Sequence, residues 1–161
     1  MGADYDFARH VWAETDGVIP DEFFRRMFVA QAMLETGWGQ KYPPESFNVA
    51  GIKPTDDQPR MVYEKSPLRI FESIADCARS WWWLIRKSSH YAKPRNEYDT
   101  DMKDLIAEFE RQAHAVRMRF AESFLGVYCP SASKYFKTWN AIRYSLKDEI
   151  GERPAKNDLR N

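Results

Sequence analysis

From Asp4 to Thr15, Phe7, Val11 and Trp12 fall on one side of a helical projection, which predicts a first helix closed by Asp16-Gly17. Asp21, just past Ile19-Pro20, has the side chain of an N-cap and predicts a second helix running through Glu35. Its apolar positions Phe23, Phe24, Met27, Phe28, Ala30 and Leu34 recur at helical spacing. Phe24, Phe28, Gln31 and Glu35 share one stripe, so Glu35 leaves the helix on a partly buried face.

The pattern breaks between Gly37 and Pro67, where five prolines and three glycines interrupt two strand-like pieces, Val49 to Lys53 and Arg60 to Glu64. This predicts an irregular lobe with a small hairpin. Helical spacing resumes near Ser73, with Ile74, Cys77, Ala78, Trp81, Trp82 and Ile85 on a wide apolar face, and ends at Ser88-Ser89-His90. Trp81-Trp82-Trp83 cannot all face one way, so one or two belong to the core and the third to an interface or cleft edge. Pro94 to Thr100 reads as a polar connection, Asp101 to about Leu125 as a helix, and Gly126 to Ser133 as a turn. A last helix, Lys134 to about Ile150, carries Tyr135, Trp139, Ile142 and Leu146. The expected organisation is one mainly α domain over residues 1–150, followed by a polar, disordered tail at 151–161.

Composition narrows the function. The aromatic share of 15% exceeds what a core of this size needs and suits a cleft that stacks on carbohydrate, or a protein interface. Lys plus Arg and Asp plus Glu are both 24, so no overall field favours nucleic acid or an anionic membrane, and neither partner is expected. The longest apolar run, Ser80 to Ile85, is too short for membrane insertion. Cys77 and Cys129 are expected as free thiols. His10, His90 and His114 are scattered and form no metal-ligand spacing with the cysteines, so no metal and no cofactor are expected. The first residues lack a basic start and an apolar stretch. The expectation is therefore a protein that stays cytoplasmic until release, or a fragment of an exported one.

The chemistry concentrates at Glu35-Thr36-Gly37-Trp38-Gly39. Hydrolysis of a glycosidic bond needs a carboxyl that keeps its proton beside the leaving oxygen, and an apolar helix face next to a large ring raises a glutamate's pKa in that direction. A surface glutamate before an ordinary glycine helix stop is the competing reading of this stretch. Gly37 and Gly39 allow tight backbone that brings Trp38 back near Glu35. Thirteen residues beyond Glu35, Asn48 opens Asn48-Val49-Ala50-Gly51-Ile52-Lys53, where its amide serves the backbone of the irregular lobe or a sugar amide.

The ordered blocks Ala30 to Gly39, Asn48 to Pro54, Leu68 to Ser73 and His90 to Lys93 resemble the glucosaminidase domains of glycoside hydrolase family 73, which are bacterial peptidoglycan hydrolases. The resemblance spans Pro20 to Ala92, with a weaker echo from Gly126 to Ile142. It implies a lysozyme-like α+β fold with a helical lobe and a small, irregular β-lobe around a cleft. The implied reaction is hydrolysis of the β-1,4 bond between N-acetylglucosamine and N-acetylmuramic acid in peptidoglycan glycan strands; the site of action is expected to be the bacterial cell wall, and the protein is expected as a monomer.

Within that pattern Glu35 matches the general acid. The second acidic residue of the family sits on the β-lobe, where Asp56, Asp57 and Glu64 are available; Glu64 matches best and Asp57 comes next. A substrate acetamido group is the alternative to a second protein carboxylate. Trp38, Asn48, Tyr128 and Asp57 are the expected substrate-binding residues. Tyr128 matches the first tyrosine of a Tyr-x-x-Asp-Pro-x-Tyr element, although the stretch to Tyr135 is one residue longer here and lacks the Asp, and Ala50 stands where the family often has Phe. A lytic transglycosylase or muramidase on the same fold, and a non-catalytic glycan-binding domain, are the competing functions. The absent signal suggests a phage or prophage lysis protein, or a domain of a larger one.

Overall fold

The computed structural model describes residues 3–103, 110–130 and 134–150, and the expected tail at 151–161 lies outside them. Six helices and one hairpin follow in the order α1 (Tyr5–Glu14), α2 (Glu22–Thr36), β1 (Arg60–Tyr63), β2 (Ser66–Arg69), α3 (Ile74–Lys87), α4 (Ala92–Lys103), α5 (Glu110–Tyr128) and α6 (Tyr135–Ile150). Short 3-10 turns at Pro44–Ser46 and Ser89–Tyr91 precede the hairpin and α4. This is a mainly α, lysozyme-like fold with a small two-stranded antiparallel sheet.

The helix starts follow from capping. Asp4, Asp21 and Ser73 accept from the backbone N–H of Phe7, Phe24 and Asp76 at 3.0–3.1 Å, satisfying donors that the first turn leaves without a partner. Helix α2 is apolar nearly all round and is correspondingly buried from Phe23 to Met33, with only Arg25 half-exposed in that run. It packs against α1 and α6. Two indoles fix its neighbours: Trp81 of α3 donates to Gln31 Oε1 at 2.8 Å, and Trp139 of α6 donates to the Met27 carbonyl at 3.1 Å. Both rings are fully buried, so an unmet indole N–H in either place would cost about 1–3 kcal/mol.

The tryptophan triplet divides as helical geometry requires. Trp81 is buried, Trp82 is half-buried against Phe24, and Trp83 is 53% exposed. Phe28, Trp81 and Phe124 form an aromatic chain with ring centroids 5.2 and 5.8 Å apart, and Phe124 continues it to Tyr91 at 4.6 Å and Tyr128 at 5.7 Å. Cys77 and Cys129 are both free; burial pushes the Cys77 thiol up to about 12. No helix among the described residues is long and apolar enough to cross a membrane.

Three expectations about elements are corrected. Val49 to Lys53 is not a strand: Val49 and Ala50 form a turn, and β1 pairs instead with Ser66–Arg69. Pro94 to Thr100 is helical within α4, because Pro94 falls in the first turn, where the N–H it lacks has no intrahelical acceptor. Gly126 lies inside α5, which runs on to Tyr128. The buried side chains of Phe124 and Leu125 and the half-buried Val127 and Tyr128 hold that last turn through the glycine.

Candidate active site

Helix α2 ends where the sequence places the acid. Thr36 donates its hydroxyl to the Ala32 carbonyl at 2.7 Å and accepts from Gly39 N–H at 2.9 Å. Gly37 takes the left-handed conformation (φ 54°), and Trp38 N–H returns to the Met33 carbonyl at 2.9 Å, closing the helix in a Schellman-type arrangement. Glu35 is thereby fixed one residue before the helix terminus.

A cleft of about 930 Å³ opens beside it. From the helical lobe it is lined by Leu34, Glu35, Leu84 and Tyr128, and from the irregular lobe by Lys41, Tyr42, Asn48, Gly51, Lys53, Tyr63, Glu64 and Leu68. The carboxyl of Glu35 is half-buried, and burial lifts its pKa above the ordinary carboxylate value. The hydrogen bond from Tyr135 and the positive charge of Lys53 pull the other way without cancelling that effect. Lys53 is itself tied across the lobe, donating to Ser66 Oγ at 2.9 Å.

Tyr135, the first residue of α6, donates its hydroxyl to Glu35 Oε1 at 2.5 Å. Burial, and then the neighbouring Glu35, push the Tyr135 phenol far up, so it stays neutral and donates. With Oε1 accepting, Oε2 is the oxygen free to carry the carboxyl proton. A half-buried carboxyl whose pKa is raised, oriented by a neutral phenol inside a sugar-sized cleft, is suited to protonating a leaving oxygen.

Asn48 is buried and serves the backbone. Its amide nitrogen donates to the carbonyls of Ile52 and Arg69, both at 2.8 Å, and its Oδ1 accepts from Ile52 N–H at 3.0 Å. It pins the loop 48–52 to the end of β2 while also lining the cleft. Tyr128 also lines the cleft and donates its hydroxyl to the Ala50 carbonyl. Burial first, and then Glu35, raise its phenol pKa.

Glu64 lines the cleft from the hairpin, whose two-residue turn Glu64-Lys65 has positive φ at both positions, 50° and 66°. Asp57 lies in the exposed turn before β1 and is not among the lining residues. Trp38 is not among them either. Its positive φ of 59° carries the ring to Tyr5 of α1, edge-on with centroids 5.4 Å apart. Apolar company for Glu35 therefore comes from the burial of the cleft wall rather than from this ring.

Two participants stand out only in three dimensions. Tyr135 reads in sequence as one apolar position of a helix stripe, and its one available signal is that it closes the Tyr128 to Tyr135 element. Gly51 reads as part of the Asn48 block with no role of its own, yet it lies against the Glu35 carboxyl. Among the described residues no group of three His, Cys, Asp or Glu side chains is placed to hold a metal ion.

The Glucosaminidase family model, described as mannosyl-glycoprotein endo-beta-N-acetylglucosaminidase, matches residues 22–129. No curated protein and no solved structure matches the chain. The matched span covers well over half of the sequence and contains Glu35, the Asn48 loop, the hairpin and Tyr128. On that match, with the mainly α fold and a carboxyl of raised pKa in the cleft, the chain belongs to the Glucosaminidase family, glycoside hydrolase family 73.

Proposed function

We propose that this glycoside hydrolase domain cleaves the β-1,4 bond between N-acetylglucosamine and N-acetylmuramic acid in peptidoglycan, as an endo-β-N-acetylglucosaminidase, with Glu35 as its general acid. The observation that carries the reading is the state of that carboxyl: half-buried, raised in pKa by burial, and held by Tyr135 at 2.5 Å on the wall of a cleft of about 930 Å³. The glycosidic oxygen takes the proton of Glu35 as its bond to the anomeric carbon breaks. A water then supplies hydroxide to that carbon and returns a proton to Glu35, so one water is consumed per bond.

Glu64 is the protein group proposed to assist at the sugar, since it lines the same cleft on the hairpin turn. Tyr63 and Tyr128 supply aromatic surface against which sugar rings can rest. The domain acts as a monomer on the cell wall.

Mass spectrometry of glycan strands digested by the parent and by Glu35→Gln tests the proposal. Products bearing a new N-acetylglucosamine reducing end, made by the parent alone, are the expected result. A reducing muramic end would assign a muramidase, and an anhydromuramic end a lytic transglycosylase. Equal release by both proteins would remove Glu35 from the chemistry.

A further inference from the structure

We propose that Gly51 is a positioning residue for the acid: having no side chain, it lets the 48–52 loop close against Oε2 of Glu35 while the Tyr135 hydroxyl holds Oε1. The catalytic half of this inference rests on the reading of Glu35 as the general acid. A Cβ built on Gly51 would stand 2.8 Å from Oε2, 3.1 Å from Cδ and 3.6 Å from Cγ of Glu35. The first of these is closer than a carbon and an oxygen approach without a bond, so an added methyl must displace either the loop or the carboxyl.

The loop is the more firmly held of the two. Asn48 binds the Ile52 N–H and the Ile52 and Arg69 carbonyls, Arg69 N–H donates to the Ile52 carbonyl at 3.1 Å, and Tyr128 donates to the Ala50 carbonyl. These bonds anchor the residues on both sides of Gly51, whereas Glu35 is a side chain with rotatable bonds. The carboxyl is therefore the partner that moves, out of its hydrogen bond with Tyr135 and toward solvent. Gly39 is as crowded, but against the Phe7 ring rather than an acid, whereas Gly37 and Gly17 set the contrast. Next to Gly37 the atoms met are those of the flexible, exposed Lys41 side chain, and Gly17, with a φ of 71° almost equal to the 67° of Gly51, has nothing within 4 Å.

That contrast supplies the control. Gly51→Ala and Gly17→Ala carry the same left-handed backbone penalty, but only the first meets Glu35. In Gly51→Ala, kcat on glycan strands is expected to fall about 10²-fold, the usual effect of a misplacement near 1 Å, with KM changed by less than about threefold. The basic limb of its pH–activity profile moves to lower pH, because a carboxyl pushed toward water loses its proton more readily. Gly17→Ala keeps parental activity and profile.

A melting-temperature cycle reads the same contact without any catalysis, so it stands or fails separately from the role of Glu35. The drop caused by Gly51→Ala should exceed that of Gly17→Ala in the parent and shrink to match it in a Glu35→Ala background. Should Gly51→Ala fail to fold alone, recovery of folding in Glu35→Ala/Gly51→Ala supports the inference, and failure in both backgrounds overturns it. Equal drops for the two glycine variants, with or without the Glu35 side chain, overturn it as well.

Discussion

Glu35 leaves a helix buried on nearly every side and is met by Tyr135 and Gly51, whereas Glu64 stands at an exposed turn of two residues joining short strands. Both side chains line one cleft, yet the protein treats them differently. Around Glu35 burial raises the carboxyl's pKa, while one neutral donor, Tyr135, orients it and partly opposes that rise. At Glu64 the protein leaves the carboxyl to solvent and instead places backbone in a left-handed region that costs an L-residue roughly 1–2 kcal/mol. The contrast teaches that raising a carboxyl's pKa takes burial by several elements at once, which a small, exposed hairpin turn does not provide.

The strongest way to break this comparison is to neutralise each carboxyl in turn. Glu35→Gln should lower the release of reducing ends about 10³-fold, within the span that general acids contribute, while the circular dichroism spectrum is unchanged. Its stability should also move. The folded state holds a proton on Glu35 that the unfolded chain gives up at ordinary carboxylate pKa. The contribution of this group to stability is therefore present below the unfolded value and lost as pH rises through the raised folded one. Glu35→Gln removes that dependence, so at neutral pH it should melt at or above the parental temperature.

Glu64→Gln should lower the same activity about 10²-fold with no rise in melting temperature. A loss under about threefold would instead assign assistance at the anomeric carbon to the substrate's own acetamido group. Tyr135→Phe sharpens the other side of the contrast. It should cost about tenfold in kcat, the scale of one orienting hydrogen bond, and should shift the basic limb of the pH–activity profile upward, since that bond now lowers the Glu35 pKa. The smallest effect is expected at the hairpin turn itself. Lys65→Gly relieves a φ of 66° and should stabilise the domain by about 0.5 kcal/mol in urea unfolding, the steric relief being partly offset by the added freedom of the unfolded chain.

The chain's own pattern was sufficient for α1, α2, α3 and α6, because capping residues and helical apolar spacing are local signals that the buried core reinforces. It was sufficient also to mark the end of α2 as unusual, since a glutamate followed by Thr36 and two glycines around a tryptophan dictates a helix stop whatever the tertiary context. It misread α4, where a proline within the first turn looks like an interruption, and it placed Gly126 in a turn because packing at Phe124 and Leu125, invisible in the local sequence, holds the helix together.

What only the tertiary structure decided is which groups surround that glutamate. Tyr135 lies 100 residues away along the chain, and its ring could as well have served the core. Trp38, next in sequence, packs on α1 instead, because left-handed backbone at Gly37 and Trp38 carries it there. Whether an acid keeps its proton depends on water exclusion and on donors arriving from other elements. Those are properties of how the helices and the irregular lobe close on one another, which spacing along a chain does not encode.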